Sequence, residues 1–312
     1  MKVLYVDCFA GAAGDMILGA LLDAGLPFDA LRTALGSLTV DGWDISVDRV
    51  IKTGITATKF RVHELAHAHQ AHDHSHAGGD ADHSHDGAEH HTLDQIVAAI
   101  GRSSLSDTGK ARATRMFRRL AEVEASIHGV PLERVHLHEV GAVDSIIDIV
   151  GTVFALEWFN ADRIVVSPIN VGGGMVRSAH GTFPVPAPAT LALLKDAPVY
   201  SSGIRMETLT PTGALILTEY ASAFGPLPAM TVDRVGYGAG DRDLKDTPNV
   251  VRVVLGTALD VAQAVVPKPH SHRVVVLECE IDDMNPQIFG VLMDKLYAAG
   301  ALEVFYQGVQ MK

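Results

Sequence analysis

Two histidines and three carboxylates lie within thirteen residues near the middle of the sequence, and both residue types bind transition metals. His136 and His138 are two apart, so a strand there would point both imidazoles to one face. Glu139 follows, and Asp144 and Asp148 are four apart, which places them on one face of a helix. Imidazole and carboxylate ligands suit nickel, zinc, iron or manganese. The spacing therefore predicts a metal site formed by the two histidines and the two aspartates.

The elements around this cluster indicate how its members could converge. Gly141 breaks the pattern, and an apolar helix should begin near Val143. Because its other faces carry isoleucine, valine and phenylalanine, we expect this helix to be buried, and buried carboxylates need partners. A divalent metal would supply them, and so would an arginine or lysine from elsewhere. In a purely structural alternative, Asp144 caps the helix and Asp148 pairs with an arginine.

Three glycine-rich turns are typical of backbone that approaches a bound anion. The first joins a strand at residues 2–9 to a helix, whose free amides could hold a phosphate, although Asp15 is equally typical of a cap. The other two precede helices near residues 189 and 214, and a further glycine-rich turn is expected at residues 235–241. The candidate phosphate-binding residues are Asp7, Gly11, Gly14, Asp15, Gly172, Gly173, Thr210, Thr212 and Gly213.

Residues 63–91 contain ten of the sixteen histidines and almost no large apolar side chain, so they cannot build a core. We interpret this segment as a disordered loop that collects nickel or zinc, because clustered histidines bind late transition metals. The alternative is a low-complexity insert with incidental affinity. The candidate collecting residues are His67, His69, His72, His74, His76, His83, His85, His90 and His91.

The composition limits the class of protein. The net charge of −12 argues against nucleic acid and anionic membranes as partners, and no apolar run is long enough to span a membrane. Asp7 introduces a charge too early for a signal peptide. Cys8 and Cys279 give no disulfide framework, which indicates a reducing, cytoplasmic setting.

The order of elements predicts an α/β fold, with α+β as the alternative. We expect a main domain to residue 257, containing a β-hairpin at residues 43–62, and then a proline-containing linker at 258–272. Residues 273–312 should form a strand, a helix and a strand, the start of a ferredoxin-like β-α-β unit. Two strands are not stable alone, so this unit is expected to be truncated or completed by another subunit, either a second copy or a complementary C-terminal chain.

Seven short motifs are spread over nearly the whole chain. They are DCFAGAAGDMILGAL, HLHEVGAVDSIIDIVG, INVGGGMV, AHGTFPVPAPAT, TLTPTGA, GYGAGD and EIDDMNP. Each alone is a weak signal, but together they are highly specific. In these motifs the chain resembles the LarC family, the nickel-insertion proteins of nickel-pincer cofactor biosynthesis.

The resemblance implies an activity, which is insertion of nickel into pyridinium-3,5-bisthiocarboxylic acid mononucleotide. The product is the nickel-pincer cofactor of lactate racemase and related enzymes. The family also implies dependence on CTP with manganese or magnesium. Its CTP-binding part belongs to the C-terminal region, and this sequence ends near the start of that region.

Formation of a nickel–carbon bond also requires a base that removes a ring proton. The candidate catalytic residues are His136, His138, Glu139 and His180. Without the resemblance, the same residues would equally suit a metal-dependent phosphoesterase or nucleotide hydrolase. The histidine-rich loop alone would suit a nickel storage or delivery protein that is not an enzyme.

Overall fold

The computed structural model describes residues 1–38, 40, 42–64, 91–135, 142–178, 181–259 and 275–308. The chain separates into two compact units, Met1–Ala264 and Val265–Lys312. The strands of the described residues are β1 (Lys2–Asp7), β2 (Trp43–Lys52), β3 (Ile55–Glu64), β4 (Arg163–Val166), β5 (Ile169–Asn170), β6 (Met175–Ser178), β7 (Gly181–Pro184), β8 (Val199–Tyr200), β9 (Ala223–Phe224), β10 (Met230–Ala239) and β11 (Val250–Ala258). The helices are α1 (Gly14–Asp23), α2 (Phe28–Gly36), α3 (Leu93–Arg102), α4 (Asp107–His128), α5 (Val143–Phe159), α6 (Pro188–Leu193), α7 (Pro211–Tyr220) and α8 (Ile288–Ala298), with a 3-10 turn at Leu132–Arg134.

The first unit is built on a seven-stranded mixed sheet, which confirms the predicted α/β class. Its strand order is β2-β3-β10-β11-β1-β4-β9. Strand β1 is parallel to β4 and antiparallel to β11, and the predicted hairpin is the antiparallel pair β2–β3. Strands β10 and β3 are parallel and are joined at a single pair, Gly238 with Thr58. The hairpin β2–β3 is therefore joined to the rest of the sheet by little backbone pairing.

Helix α5 lies in the centre of the core, as its apolar composition predicts. It begins at Val143, and Ile146, Ile147 and Ile149 are fully buried. A Cβ on Gly151 would lie 2.9 Å from a methyl group of Leu18 in α1, so the narrow face of α5 is the face that contacts α1. The packing of α1 against α5 brings Gly14, at the start of α1, next to Asp148 in α5.

The sequence GYGA at residues 236–239, predicted as part of a turn, is instead the end of strand β10. The turn prediction was wrong because glycines at alternate positions serve helix packing here. Added Cβ atoms on Gly236 and Gly238 would lie 2.1 Å from the Ala20 carbonyl oxygen and 1.8 Å from that of Met16. Since alternate strand residues share a face, these glycines form a flat surface on which α1 rests directly.

The second unit contains the predicted helix, α8, but the described residues on either side of it do not form the predicted strands. Within residues 275–308 the structure has no strand, and Val275, Val276 and Leu277 are exposed. A strand is stable only when its backbone groups pair with a neighbour, and these segments have none among the described residues. Across the parts of the chain that the structure describes, no helix is long and apolar enough to cross a membrane.

We expect Gly238→Ala to lower the free energy of unfolding by about 3 kcal/mol, because the new methyl group meets the backbone of α1 rather than a side chain that can move. Gly101→Ala is the matched control, since a Cβ there meets no atom within 4 Å. Urea unfolding measures both. An unchanged stability of Gly238→Ala would show that α1 does not rest on β10 as described.

Candidate functional site

A cleft of about 450 Å³ opens at the start of α1, beside the first turns of α5 and the ends of β3 and β10. This volume lies in the range of about 300–1,000 Å³ typical of small-molecule sites. Its wall combines carboxylates, basic side chains and threonine hydroxyls. The charged residues among them are Asp15, Lys59, Arg61, Asp144, Asp148, Glu207, Asp241 and Arg242.

The most buried carboxylate of the cleft belongs to Asp148, in the second turn of α5. Its carboxylate accepts a hydrogen bond from the backbone amide of Asp15, at the start of α1. The helix has no side-chain cap of its own, so Asp148 performs that role from a neighbouring helix. A Cβ on Gly14 would lie 2.6 Å from Asp148 Oδ2, which explains why glycine occupies this position. The helix N-terminus that we predicted for a phosphate is thus in contact with an internal carboxylate.

The other oxygen of the same carboxylate has no hydrogen-bond partner in the part of the chain that the structure describes. Asp148 Oδ1 is buried and forms no hydrogen bond with any described residue. Burial, followed by the nearby charges of Asp15 and Asp144, raises the pKa of Asp148 well above its usual value, and Lys59 opposes this only partly. Burial also raises the pKa of Asp15, again against the charge of Lys59. An acidic, poorly solvated corner therefore lies at the inner end of the cleft.

The ammonium group of Lys59 links this corner to the rest of the cleft. It lies 2.5 Å from Asp15 and 2.9 Å from Asp241, and its side chain is only 3% exposed. Asp241 is also 3.2 Å from Arg61. Partial burial opposes ionisation of Asp241, but its contacts with Lys59 and Arg61 prevail and lower its pKa. The charges of the cleft are thus joined in a series of contacts.

The sequence analysis did not identify Lys59, Arg61 and His63, which all line the cleft from β3. A pattern did exist, because the three polar residues alternate along a predicted strand and so share one face. The sequence pattern did not indicate that this face of the strand contacts α1 and Asp241, which are distant in the chain. The ring of His63 is hydrogen-bonded to the Ser46 hydroxyl, with 2.7 Å between Nε2 and Oγ.

Several of the predicted site residues meet in this cleft. They are Gly14, Asp15, Asp144, Asp148, Thr210 and Thr212. Asp144 is exposed in the first turn of α5, and its carboxylate accepts a hydrogen bond of 2.7 Å from the Ser145 amide. The side chain of Thr210 caps α7 by accepting a hydrogen bond from the Gly213 amide. The helix faces predicted from sequence are therefore those that the fold presents to the cleft.

Four predicted glycines serve instead to pack backbone segments behind the wall. Added Cβ atoms on Gly11, Gly172 and Gly213 would lie 1.9 Å from the Thr208, 2.0 Å from the Met206 and 2.4 Å from the Ala12 carbonyl oxygens. The amide of Gly173 donates to the Met206 carbonyl at 3.2 Å. These contacts fix the segment at residues 206–213, whose side chains line one side of the cleft.

Asp7 is not among the residues that line the cleft, and its carboxylate pairs with Arg252 of β11. Two arginines of α4 are also engaged outside the cleft. Arg115 pairs with Glu219, and Arg119 donates to the hydroxyl of Thr218 at 2.9 Å. These contacts tie α4 to α7.

The remaining predicted residues lie outside the described part of the chain. They are His136, His138, Glu139 and His180, together with His67, His69, His72, His74, His76, His83, His85 and His90 of the predicted loop. His91 is described and is partly exposed just before α3. Among the described residues, no group of three or more histidines, cysteines and carboxylates is arranged to hold a metal ion. The carboxylates of the cleft therefore do not form a complete metal site by themselves.

We expect Asp148→Asn to stabilise the fold at neutral and higher pH. A pKa raised by folding means that the folded state resists ionisation of Asp148, so this penalty grows as pH rises above the usual aspartate value. Removing the charge should raise the free energy of unfolding by on the order of 1–3 kcal/mol at pH 8 and by little near pH 4.

Urea unfolding at both pH values measures this difference. Asp144→Asn is the control, because Asp144 is exposed and its replacement should change stability little at either pH. A loss of stability for Asp148→Asn at pH 8 would contradict the description of this carboxylate as a buried, poorly compensated charge.

Comparison with known proteins confirms the resemblance drawn from the motifs. Residues 4–312 match the nickel insertion protein family. The pyridinium-3,5-bisthiocarboxylic acid mononucleotide nickel insertion protein of Geobacillus kaustophilus is 46% identical over 319 residues, which cover 100% of this chain and 74% of that protein. The protein of the same name from Desulfitobacterium hafniense (strain DSM 10664 / DCB-2) is 43% identical over 313 residues, covering 100% and 72%. No solved structure matches the chain. The chain belongs to the nickel insertion protein family.

Proposed function

We propose that this chain inserts nickel into pyridinium-3,5-bisthiocarboxylic acid mononucleotide, the reaction for which its relatives are named. The observation that carries the proposal is that four of the seven motifs contribute side chains to one cleft. Asp15, Asp148, Thr210 and Asp241 come from four separate motifs and line the same space. Its volume of about 450 Å³ suits a mononucleotide.

Nickel would be held at the acidic end of the cleft. Asp144 and Asp148 lie on one face of α5 there. Oδ1 of Asp148 has no hydrogen-bond partner among the described residues, so it is an oxygen that could bind a metal ion. Carboxylates alone are poor ligands for nickel, which prefers imidazole as well. His136 and His138 precede α5 directly in the sequence, and we propose that they complete the site. A site assembled in this way would bind nickel moderately and release it to the substrate.

The acidic corner also imposes an order on binding. Two thiocarboxylates are anionic, and the carboxylates of Asp144 and Asp148 repel them unless a divalent cation lies between. Nickel therefore binds before the sulfur groups or together with them. Replacement of the ring hydrogen by nickel releases one proton, and its acceptor is proposed among His136, His138, Glu139 and His180.

The requirement for CTP with manganese or magnesium, and delivery of the product to lactate racemase, are further parts of the proposal. Hard divalent cations bind oxygen ligands, and the described carboxylates Asp15, Asp144 and Asp148 fit such ions by ligand type. When bound, the CTP–metal pair would supply phosphate chemistry. The residues of this chain would orient the mononucleotide and exclude water from the buried carboxylate.

We expect His138→Ala and Asp144→Asn each to reduce nickel insertion at least a hundredfold while the fold survives. Loss of a ligand removes activity, whereas replacement of an exposed aspartate costs little stability. Cofactor formation is assayed with the complete C-terminal region supplied, and circular dichroism checks the fold. Asp94→Asn is the matched control, because Asp94 is exposed in the first turn of α3 and away from the cleft. Wild-type activity in a folded double variant would place the chemistry elsewhere in the chain.

Deletion of residues 67–91 separates insertion from storage or delivery. We expect the deleted form to bind fewer nickel ions in calorimetry and to keep its insertion activity at saturating nickel, because the loop collects metal without taking part in the reaction. Unchanged nickel stoichiometry would exclude the collecting role. Complete loss of activity at saturating nickel would favour a storage or delivery protein, and phosphate release from generic nucleotides would favour a hydrolase.

A further inference from the structure

One guanidinium group in the cleft has no anionic partner in the described part of the chain. Arg242 lines the cleft, and its one hydrogen bond to a described residue goes from Nη1 to the carbonyl oxygen of Glu207 at 2.9 Å. The other two basic residues of the cleft, Lys59 and Arg61, each have carboxylate partners. Arg242 is exposed at the wall of the cleft, so the donors of its guanidinium group that the Glu207 carbonyl does not engage are accessible to an anion in the cleft.

The backbone that carries Arg242 is held from two sides. The Nζ atom of Lys52 donates to the carbonyl oxygens of Asp241 and Arg242, at 3.1 and 3.3 Å. It also pairs with the carboxylate of Asp243 at 2.6 Å. The side-chain amide of Asn249 donates to the Arg242 carbonyl oxygen at 2.9 Å. Lys52 is buried, so the turn that presents Arg242 is fixed before any ligand binds.

The charges of the cleft give it two ends with opposite character. At the acidic end, the carboxylates of Asp15, Asp144 and Asp148 line the cleft, and Oδ1 of Asp148 is buried with no hydrogen bond to a described residue. Lys59 then joins Asp15 to Asp241, which lies beside Arg61 and directly before Arg242 in the chain. We call Arg61 and Arg242 the basic end. An elongated ligand with a phosphate at one extremity and a metal-binding group at the other matches this polarity.

We propose that Arg242, supported by Arg61, binds the phosphate monoester of the mononucleotide substrate. This directs the pyridinium ring and its thiocarboxylates towards Asp144 and Asp148. The inference rests on the proposed function, because it assigns an orientation to the substrate named there. Arg242 presents a planar set of donors that matches two phosphate oxygens, and Lys52 acts as a positioning residue that holds its backbone.

The glycine-rich turns are less suited to this phosphate than Arg242. The N-terminus of α1 is in contact with the carboxylate of Asp148, which would repel a second anion. The backbone at Gly172 lies against the Met206 carbonyl oxygen. At α7 the amide of Gly213 is occupied by the Thr210 hydroxyl. Each turn that sequence reasoning favoured is therefore already engaged within the fold.

Calorimetry on the full chain tests the inference with two probes. These are a pyridinium mononucleotide that lacks both thiocarboxylates and the corresponding nucleoside without phosphate. We expect Arg242→Ala to weaken binding of the mononucleotide about tenfold to a hundredfold and to leave the affinity for the nucleoside unchanged. Arg242→Lys should retain part of the affinity. Arg118→Ala is the matched control, since it removes an exposed arginine of α4 outside the cleft and should bind both probes as the wild type does.

CTP is the third ligand, because its phosphates share the chemistry that Arg242 would recognise. An equal loss of affinity for mononucleotide and nucleoside, no loss for either, or a loss confined to CTP would each overturn the assignment. Wild-type protein that binds no mononucleotide would overturn it as well. Wild-type protein that shows the expected binding difference but inserts no nickel would instead contradict the proposed function and leave the phosphate assignment standing.

Discussion

The contact between the Asp148 carboxylate and the backbone of Gly14 and Asp15 at the start of α1 is the constraint on which the rest of the site depends. It joins the two central helices at their N-termini and requires glycine at position 14. Helix α1 is fixed on its other side by β10, where glycines allow its backbone to rest on the strand. Asp15 lies in the first turn of this helix, and the buried Lys59 bridges from it to Asp241. The geometry of the cleft follows from the packing of one short helix.

Local patterns predicted the parts of the structure that depend on a single element. The helix of the central motif begins where expected, and its aspartates share a face that meets the cleft, because helical periodicity needs no knowledge of the rest of the fold. The role of Lys59 could not be predicted in this way. Its partners are 44 residues before it and 182 residues after it in the chain, and only the sheet order brings them together.

Glycine was the most ambiguous residue in the sequence. Close approach of a backbone to a ligand and close approach of one backbone to another make the same demand, which is the absence of a Cβ. Gly11, Gly172 and Gly213 satisfy the second demand, as do the glycines of β10. The same ambiguity applies to helix N-termini, because a sequence does not reveal whether the anion comes from solvent or from the chain itself. At α1 it comes from the chain, as Asp148.

A buried carboxylate with an unpaired oxygen is unfavourable for folding, and an asparagine could accept the same amide hydrogen bond without the charge. Capping of α1 therefore does not explain why position 148 is an aspartate. A cation entering the acidic end would supply the missing partner and lower the cost of ionisation, while the poorly solvated surroundings would strengthen the attraction. Lys59 cannot do this alone, because its charge is shared between Asp15 and Asp241. The carboxylate that destabilises the fold is thus the one that a divalent cation would stabilise, which agrees with its proposed role in accepting nickel and then releasing it.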